Sequence, residues 1–235
     1  WFALDGEKAE YEYSYNYQSW YPSAEYETNN TVKNAGLFDL TPFSKFEIKS
    51  DKAHQELQKI CTANIKNEPG KCVYTHMLNS DGGIETDLTV VCVDKNHFRI
   101  ISSAATRERD KFHINKHLSK NIELKDITDD LCVFGLFGPK SRDLLKTLSK
   151  DNFENDQFRF GFAKFITIDG VKIWTQRLSY VGELGYELYV DLKDAKKIYE
   201  LLIEKGKDFN LSNCGMHAMD IMRMESGFLH WGHDI

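Results

Sequence analysis

The amino-acid sequence predicts an α+β fold in which antiparallel sheets carry flanking helices. Apolar, β-branched segments of strand length outnumber the segments with helical periodicity. Two pairs of these segments are joined by sequences that close hairpins, at residues 79–83 (Asn-Ser-Asp-Gly-Gly) and 169–170 (Asp-Gly). Hairpins connect antiparallel strands, so the sheets should be antiparallel rather than the parallel sheets of α/β proteins.

The chain opens with an aromatic arm at residues 1–22. Tyrosines alternate with other residues between positions 11 and 17, which predicts a strand or extended segment with one aromatic face. We expect that face to pack against a neighbouring domain, and stacking on a cofactor is the alternative. Residues 24–35 have helical character, and Gly36 is expected to end the helix.

Caps and turns mark the boundaries in the rest of the chain. Ser50 is a suitable N-cap for a helix that runs to about Cys61, with Asp51 favourable in its first turn. Pro139 marks another helix start, where a missing N–H costs nothing. Further helices are predicted at residues 106–118, 192–205 and 216–225. Strands are predicted at residues 43–48, 73–78, 84–93, 97–103, 121–128, 131–137, 164–168, 171–178 and 185–190.

Composition excludes several classes of protein. Hydrophobic residues make up 41% of the 235 residues, which is ordinary for a globular protein. The net charge of −6 does not favour binding to nucleic acid. No apolar run is long enough to span a bilayer, and no strand is followed by the Gly-x-Gly-x-x-Gly of a flavin or dinucleotide site. The five cysteines include no Cys-x-x-Cys pair. We therefore expect no metal site and a reducing compartment, the cytoplasm or, in a eukaryote, the mitochondrial matrix.

Two acids follow the glycines of the first hairpin. Residues two apart share a face of a strand, so Glu85 and Asp87 should point the same way. A carboxylate in an apolar strand is costly to bury unless a cation or a hydrogen-bond donor meets it. Taken alone, this pattern favours solvent-facing acids beside a turn over a functional carboxylate.

Six segments, in order along the chain, are specific as a set. They are residues 36–41 (GLFDLT), 78–88 (LNSDGGIETDL), 138–141 (GPKS), 180–187 (YVGELGYE), and the late pair 223–227 (RMESG) and 232–235 (GHDI). Together they resemble the aminomethyltransferase superfamily, the tetrahydrofolate-dependent T-protein of glycine cleavage and its relatives. The resemblance implies the aminomethyltransferase folate-binding fold, with tetrahydrofolate as the ligand.

The resemblance also implies the folate-binding residues. Glu187 would accept both neighbouring N–H groups of the pterin edge, as a carboxylate accepts a guanidinium fork. Tyr180 and Tyr74 would lie beside the folate, and Gly185 would let the ring approach the backbone. Without the resemblance, Glu187 fits a cross-strand ion pair and the tyrosines fit core positions equally well. Arg223 is also one of these expected folate-binding residues. Holding carboxylates in place is a better role for it than catalysis.

The same resemblance makes Asp87 the catalytic carboxylate, with Tyr74 beside it. Transfer of a one-carbon unit to a folate amine leaves a positive charge and a proton to remove. A fixed carboxylate stabilises the charge and accepts the proton. Glu85 is expected to face a different partner or solvent.

Three features bear on the branch of the family. Met219 stands where the glycine-cleavage branch usually carries a folate-binding Arg, and Thr86 replaces the first Asp of its usual Asp-Asp pair. Residues 230–235 (HWGHDI) resemble the ending seen in dimethylglycine and sarcosine dehydrogenases or oxidases. In those fusions a flavin domain oxidises an N-methyl group. The resemblance therefore implies capture of the methylene or formaldehyde unit of an N-methylated glycine as 5,10-methylenetetrahydrofolate, with FAD only in an N-terminal domain or partner subunit.

The chain starts at Trp1 rather than Met and ends inside a family motif. We therefore expect residues 1–235 to be one T-protein-like domain of a longer protein, lacking the family's C-terminal barrel. Two alternatives stay open, the T-protein aminomethyltransferase itself and a folate-binding or channelling module without catalysis. The lack of Cys in residues 227–235 argues against a branch with a Lys-Gly-Cys-x-x-Gly-Gln motif, and Asp87 with Tyr74 favours chemistry over channelling.

Overall fold

The computed structural model describes residues 1–3 and 5–235. The chain forms two compact units that alternate along the sequence. The first unit consists of residues 1–40, 132–157 and 165–235, and the second consists of residues 41–131 and 158–164. Each unit is built on one β-sheet.

Helices and hairpin-linked strands follow one another along the chain. The α-helices of the described residues are α1 (Tyr21–Lys33), α2 (Ala53–Ile60), α3 (Arg107–His117), α4 (Ser141–Leu148), α5 (Leu192–Gly206) and α6 (Met216–Glu225). The strands are β1 (Ala35–Asp39), β2 (Ser44–Lys49), β3 (Cys72–Leu78), β4 (Ile84–Asp94), β5 (His97–Ser102), β6 (Leu124–Asp126), β7 (Leu131–Phe137), β8 (Ala163–Ile168), β9 (Val171–Gln176), β10 (Gly185–Asp191) and β11 (Leu211–Cys214). The predicted α+β class with mainly antiparallel sheets is confirmed.

The first unit has a six-stranded sheet in the order β11-β1-β7-β10-β9-β8. Strand β1 pairs parallel with β11 and antiparallel with β7, and β10 pairs antiparallel with β9. Helices α4 and α5 both contact β10, and Arg142 of α4 donates to the hydroxyl of Tyr186 (3.2 Å). Because side chains alternate along a strand, Gly185, Glu187 and Tyr189 face the other side of the sheet.

The second unit has an antiparallel five-stranded sheet in the order β3-β4-β5-β2-β6. One face of this sheet forms a hydrophobic core, to which α2 and α3 also contribute. Its central members are Phe46, Ile48, Leu57, Met77, Leu88, Val90, Phe98, Ile100 and Ile114. The opposite face of the β3–β4 hairpin carries polar side chains, so the core fixes which side chains the hairpin presents.

Several predicted boundaries are wrong. The first helix is α1, which ends at Lys33, and Gly36 lies in β1 rather than ending the helix. A Cβ on Gly36 would lie 2.2 Å from the hydroxyl of Thr31 and 2.8 Å from the Cys214 sulfur. This glycine therefore allows α1 and β11 to pack closely on the strand.

Of the two predictions for the aromatic arm, the strand is wrong, and the extended segment stays a prediction. Residues 1–3 and 5–20 form no strand. Tyr13 and Tyr15 are almost wholly exposed, whereas Trp1, Tyr11 and His217 form ring contacts with one another. Packing of the exposed tyrosines against another domain stays a prediction.

Two helix-start predictions need small corrections. Ser50 was expected to be an N-cap, but α2 begins at Ala53, and the Ser50 hydroxyl oxygen accepts from the Lys52 N–H (3.2 Å). Pro139 lies in the turn before α4 rather than in the helix. None of the helices in the described part of the chain is both long and apolar enough to cross a bilayer.

Candidate functional site

The turn of the β3–β4 hairpin is held by Asn79. Its side-chain oxygen accepts from the backbone N–H groups of Asp81 (3.0 Å) and Gly83 (2.9 Å). Gly82 has φ of 82°, a conformation that glycine adopts without strain. Local hydrogen bonds therefore fix the turn, and with it the register of the two strands.

The first residues of β4 alternate between the two faces of the sheet. Thr86, Leu88 and Val90 are buried in the core, whereas Glu85 and Asp87 are half-buried on the opposite face. Asp87 therefore does not carry the cost of a carboxylate in an apolar core. It lies on an accessible polar surface held by a rigid hairpin, as a reacting group requires.

Asp87 has two neighbours on that surface. The Tyr74 hydroxyl donates to Asp87 Oδ2 (3.0 Å). His76 is directly opposite Asp87 in the strand pairing, and its Nε2 lies 3.5 Å from the Tyr74 hydroxyl oxygen. The hairpin thus brings a phenol, an imidazole and a carboxylate together. The sequence analysis identified Tyr74 and Asp87 but not His76.

Glu85 has a separate neighbour. Its Oε1 lies 4.0 Å from Nε of Arg109 on α3, the outer limit of an ion pair. The expectation that Glu85 faces a different partner from Asp87 is confirmed. Glu85 is therefore a suitable control for charge changes at Asp87.

Glu187 lies on the side of β10 that faces away from α4 and α5. Its Oε2 accepts a hydrogen bond from the Tyr189 hydroxyl (2.8 Å). Burial raises the pKa of Glu187 from 4.5 to about 7, an effect that the hydrogen bond from Tyr189 only partly opposes. On the β9 side, the residue paired with Glu187 is Gln176, which is uncharged. The ion-pair interpretation of Glu187 therefore gains no support from the pairing.

Gly185 has a packing role in the first unit. A Cβ at this position would lie 2.5 Å from the ring of Phe137 and 2.6 Å from the carbonyl oxygen of Leu178. Protein atoms therefore fill the space beside its Cα, and this close packing explains a glycine at position 185 without any ligand. Approach of a pterin ring to Gly185 stays a prediction.

Tyr180 and Arg223 hold the last segment of the chain. The Tyr180 hydroxyl donates to the Leu229 carbonyl (3.1 Å), and its ring stacks on Phe228 with centroids 6.0 Å apart. Arg223 is 3% exposed and donates to Asp220 (2.7 Å), to the Phe228 carbonyl (3.2 Å) and to Asp234. These contacts agree with the expected role of Arg223, which is to hold carboxylates in place.

The predicted site residues fall into two groups. Tyr74 and Asp87 touch each other in the second unit, and the other four are in the first unit. In the first unit, Gly185 and Glu187 share a strand, whereas Tyr180 and Arg223 meet at residues 228–229. One neighbour was missed, His76. It stands two residues from Tyr74 on the same strand, so strand alternation could have identified it.

The fold is of the kind found in glycine-cleavage aminomethyltransferases. The glycine cleavage system aminomethyltransferase T of Bartonella henselae superposes with a TM-score of 0.79 at 22% identity, covering 90% of this chain and 56% of that one. At that identity, the likeness concerns the fold alone.

Sequence comparison gives the family. Residues 3–235 match the GCVT N-terminal domain, and the chain belongs to that family. It is 34% identical to the 4-methylaminobutanoate oxidase (formaldehyde-forming) of Paenarthrobacter nicotinovorans and 30% identical to the mitochondrial dimethylglycine dehydrogenase of Rattus norvegicus. Both alignments cover 100% of this chain, but only 29% and 28% of the relatives. The chain therefore spans less than a third of the length of these two relatives.

Proposed function

We propose that this domain transfers a one-carbon unit from an N-methylated glycine, of the dimethylglycine or sarcosine type, to tetrahydrofolate, giving 5,10-methylenetetrahydrofolate. The observation that carries the proposal is the contact between Tyr74 and Asp87 on the exposed face of a rigid hairpin. Family membership supports the one-carbon chemistry, and the two oxidase and dehydrogenase relatives support an N-methyl source. In this proposal the whole protein is bifunctional, with the flavin outside residues 1–235.

The surroundings of Glu187 fit the edge of a pterin. The raised pKa of this carboxyl shows that burial is not balanced by enough hydrogen-bond donors or positive charge. A pterin edge would supply two neighbouring N–H groups to a carboxylate that receives one hydroxyl donor from Tyr189. Tetrahydrofolate thus fits the chemistry of Glu187.

Asp87 would manage the proton of the transfer step. A folate amine that bonds to the one-carbon unit must lose a proton, and Asp87 accepts it as the N–H bond breaks and an O–H bond forms. The Tyr74 hydroxyl, which donates to Oδ2, holds the carboxylate in one orientation. Closure of the methylene bridge then forms the second C–N bond and breaks the bond to the parent amine, which leaves with the proton returned by Asp87, while the second folate N–H proton goes to solvent. When the unit arrives as formaldehyde, both protons leave with its oxygen as water.

The test uses the full-length protein, tetrahydrofolate and a panel of dimethylglycine, sarcosine and 4-methylaminobutanoate. Formaldehyde dehydrogenase is added as a trap, so that only carbon transferred without release is counted as 5,10-methylenetetrahydrofolate. Asp87→Asn keeps the shape and a hydrogen-bonding group but loses the base. We expect methylenetetrahydrofolate formation to fall about a hundredfold or more, with amine oxidation unchanged and formaldehyde released instead.

The control is Glu85→Gln, two residues away on the same face of the strand. It removes a carboxylate that contacts Arg109 rather than Tyr74, and it should transfer carbon at the wild-type rate. If Asp87→Asn also transfers carbon at that rate, Asp87 has no part in the mechanism. The domain would then be a folate-binding or channelling module without catalysis.

The glycine-cleavage aminomethyltransferase is the second candidate, supported by membership of the GCVT family. Met219, the position where that branch usually has an Arg, is 3% exposed in α6. An apolar buried side chain cannot supply a positive charge to folate, which is why the N-methyl branch is preferred. Release of ammonia from an aminomethylated lipoyl protein, with no oxidation of any methylated amine, would establish the second candidate instead.

A further inference from the structure

His76 is built into the same surface as Asp87. In the β3–β4 pairing, His76 is the residue directly opposite Asp87, so their Cβ atoms are expected about 4.5–5.5 Å apart on one face of the sheet. Tyr74 lies two residues before His76 on the same strand and shares that face. The ring centroids of Tyr74 and His76 are 5.2 Å apart, with the ring planes at 77°.

The hydroxyl of Tyr74 connects the other two side chains. It lies 3.0 Å from Asp87 Oδ2 and 3.5 Å from His76 Nε2. A hydroxyl has one proton to donate and two lone pairs to accept with. Because the Tyr74 proton goes to Asp87, the matching arrangement at the other contact is an Nε2–H of His76 donating to the Tyr74 oxygen. The three groups then form one chain of hydrogen bonds with a single direction.

The backbone of His76 is fixed on the outer side of β3. Its N–H donates to the Thr62 hydroxyl oxygen (3.3 Å), and its carbonyl accepts from the Thr62 N–H (2.9 Å). The side chain of His76 therefore starts from a backbone held on both sides, by Thr62 and by β4. Such support is typical of a side chain whose direction matters to its neighbours.

We propose that His76 is a positioning residue for the transfer step, holding the Tyr74 proton on Asp87 by donating its own Nε2–H to the Tyr74 oxygen. The inference rests on the proposed function. The ionisable neighbours of His76 on the hairpin include Tyr74, Asp87 and Glu85. Arg109 of α3 lies within ion-pair range of Glu85, and α3 also carries Asp110 and His113 near that pair. Asp87 is the nearest of these carboxylates in the pairing, and Glu85 is directed to Arg109.

Two substitutions separate the hydrogen bond from the bulk of the side chain. His76→Gln keeps an N–H at a reach similar to that of Nε2. In the full-length protein it should transfer carbon within about threefold of the wild-type rate. His76→Phe keeps a ring but has no N–H. It should be about tenfold slower, with calorimetric affinity for 5-formyltetrahydrofolate within about twofold of wild type. A wild-type rate in His76→Phe, or a rate in His76→Gln as slow as that of His76→Phe, would overturn the proposal.

A second measurement does not depend on activity. In full-length protein labelled with ¹⁵N in the histidine rings, the His76 signals are the ones that are lost in His76→Gln. They should show a proton on Nε2 rather than on Nδ1, because Nε2 donates to the Tyr74 oxygen, and they should move in Tyr74→Phe, which has no hydroxyl. A proton on Nδ1, or signals that do not move in Tyr74→Phe, contradicts the inference even if the domain transfers carbon. Conversely, wild-type protein that makes no methylenetetrahydrofolate while showing the NMR effect contradicts the proposed function and leaves the contact of His76 with Tyr74 intact.

Discussion

Binding of tetrahydrofolate at Glu187 should release protons at neutral pH. The pKa of Glu187 is raised to about 7 by burial, so about half of the ligand-free protein carries a neutral carboxyl at pH 7. A pterin edge with two N–H donors binds the ionised form, and its donors stabilise the negative charge. Binding should therefore release about 0.9 proton at pH 6, about 0.5 at pH 7 and about 0.1 at pH 8.

The same equilibrium sets how affinity depends on pH. The ionised fraction of Glu187 rises from about 0.1 at pH 6 to about 0.9 at pH 8, so affinity should rise about tenfold over that range. Titration calorimetry with 5-formyltetrahydrofolate in phosphate and in Tris measures both quantities. The difference in observed heat between buffers of different ionisation enthalpy gives the number of protons released.

Glu187→Gln is the matched variant. It cannot ionise, so this part of the proton release should disappear, and affinity at pH 8 should weaken by about 1–3 kcal/mol because a charged hydrogen bond is lost. Glu200→Gln, on the exposed face of α5, should behave as wild type. Wild-type binding that releases no proton and keeps one affinity between pH 6 and 8 would refute this account of the site.

Stability should change in the opposite direction from affinity. A carboxyl with a raised pKa in the folded state stabilises the protein fully below its unfolded pKa of about 4.5, and that contribution is lost as the pH rises through about 7. The shift corresponds to about 3 kcal/mol. Glu187→Gln should therefore raise the thermal midpoint at pH 8, where the wild-type carboxylate is charged, and have little effect near pH 4. Equal midpoints at pH 8 would show that burial does not penalise the charge of Glu187.

Two further predictions concern stability. Burial would raise the pKa of Glu47, but hydrogen bonds from His97, Arg99 and Lys49 outweigh this effect and hold the pKa well below 4.5. The ionised carboxylate therefore stabilises the fold above about pH 4.5, and this contribution to stability is lost as the pH falls below that value. Glu47→Gln should lower the free energy of unfolding, measured in urea at pH 7, by about 3 kcal/mol. Loss of an exposed ion pair elsewhere should lower it by less than about 1 kcal/mol. Equal losses in the two variants would contradict this prediction. Gly185→Ala should destabilise the protein by more than about 2 kcal/mol, because the new methyl group meets an aromatic ring and a carbonyl oxygen. Its control is Gly82→Ala, which meets nothing within 4 Å and should show only the roughly 1 kcal/mol strain of positive φ.

Local chemistry made the hairpins predictable. Asn79 and the glycines after it encode the first turn without help from the rest of the fold, and residues 169–170 do the same for the second. The prediction that Tyr74 and Asp87 lie together followed from the family resemblance, and the contact is present. The position of His76 opposite Asp87 could not be predicted without the register of the strand pairing. The sequence of a single strand shows which residues share a face, but it does not show which residue of the next strand lies opposite.

Long-range pairing explains what the sequence did not reveal. Strand β11 is short and polar, with the sequence Leu-Ser-Asn-Cys, and its pairing with β1 defines it as a strand. Gly36 has the usual sequence signal of a helix end, yet close packing against Thr31 and Cys214 is what requires glycine there. In the same way, the space around Gly185 is filled by residues distant in sequence, such as Phe137. Such requirements appear only when distant segments meet.

The pairing of β1 with β11 has a consequence for synthesis of the protein on the ribosome. Strand β1 is made early, but its parallel partner follows roughly 170 residues later, which at 5–20 residues per second is a delay of roughly 10–35 s. During that interval one edge of β1 has no partner and is open to pairing with other chains. Most of the second unit is one continuous stretch, residues 41–131, and can become compact while the first unit waits. Pauses in translation before residue 211 should therefore favour aggregation and chaperone binding more than pauses after it.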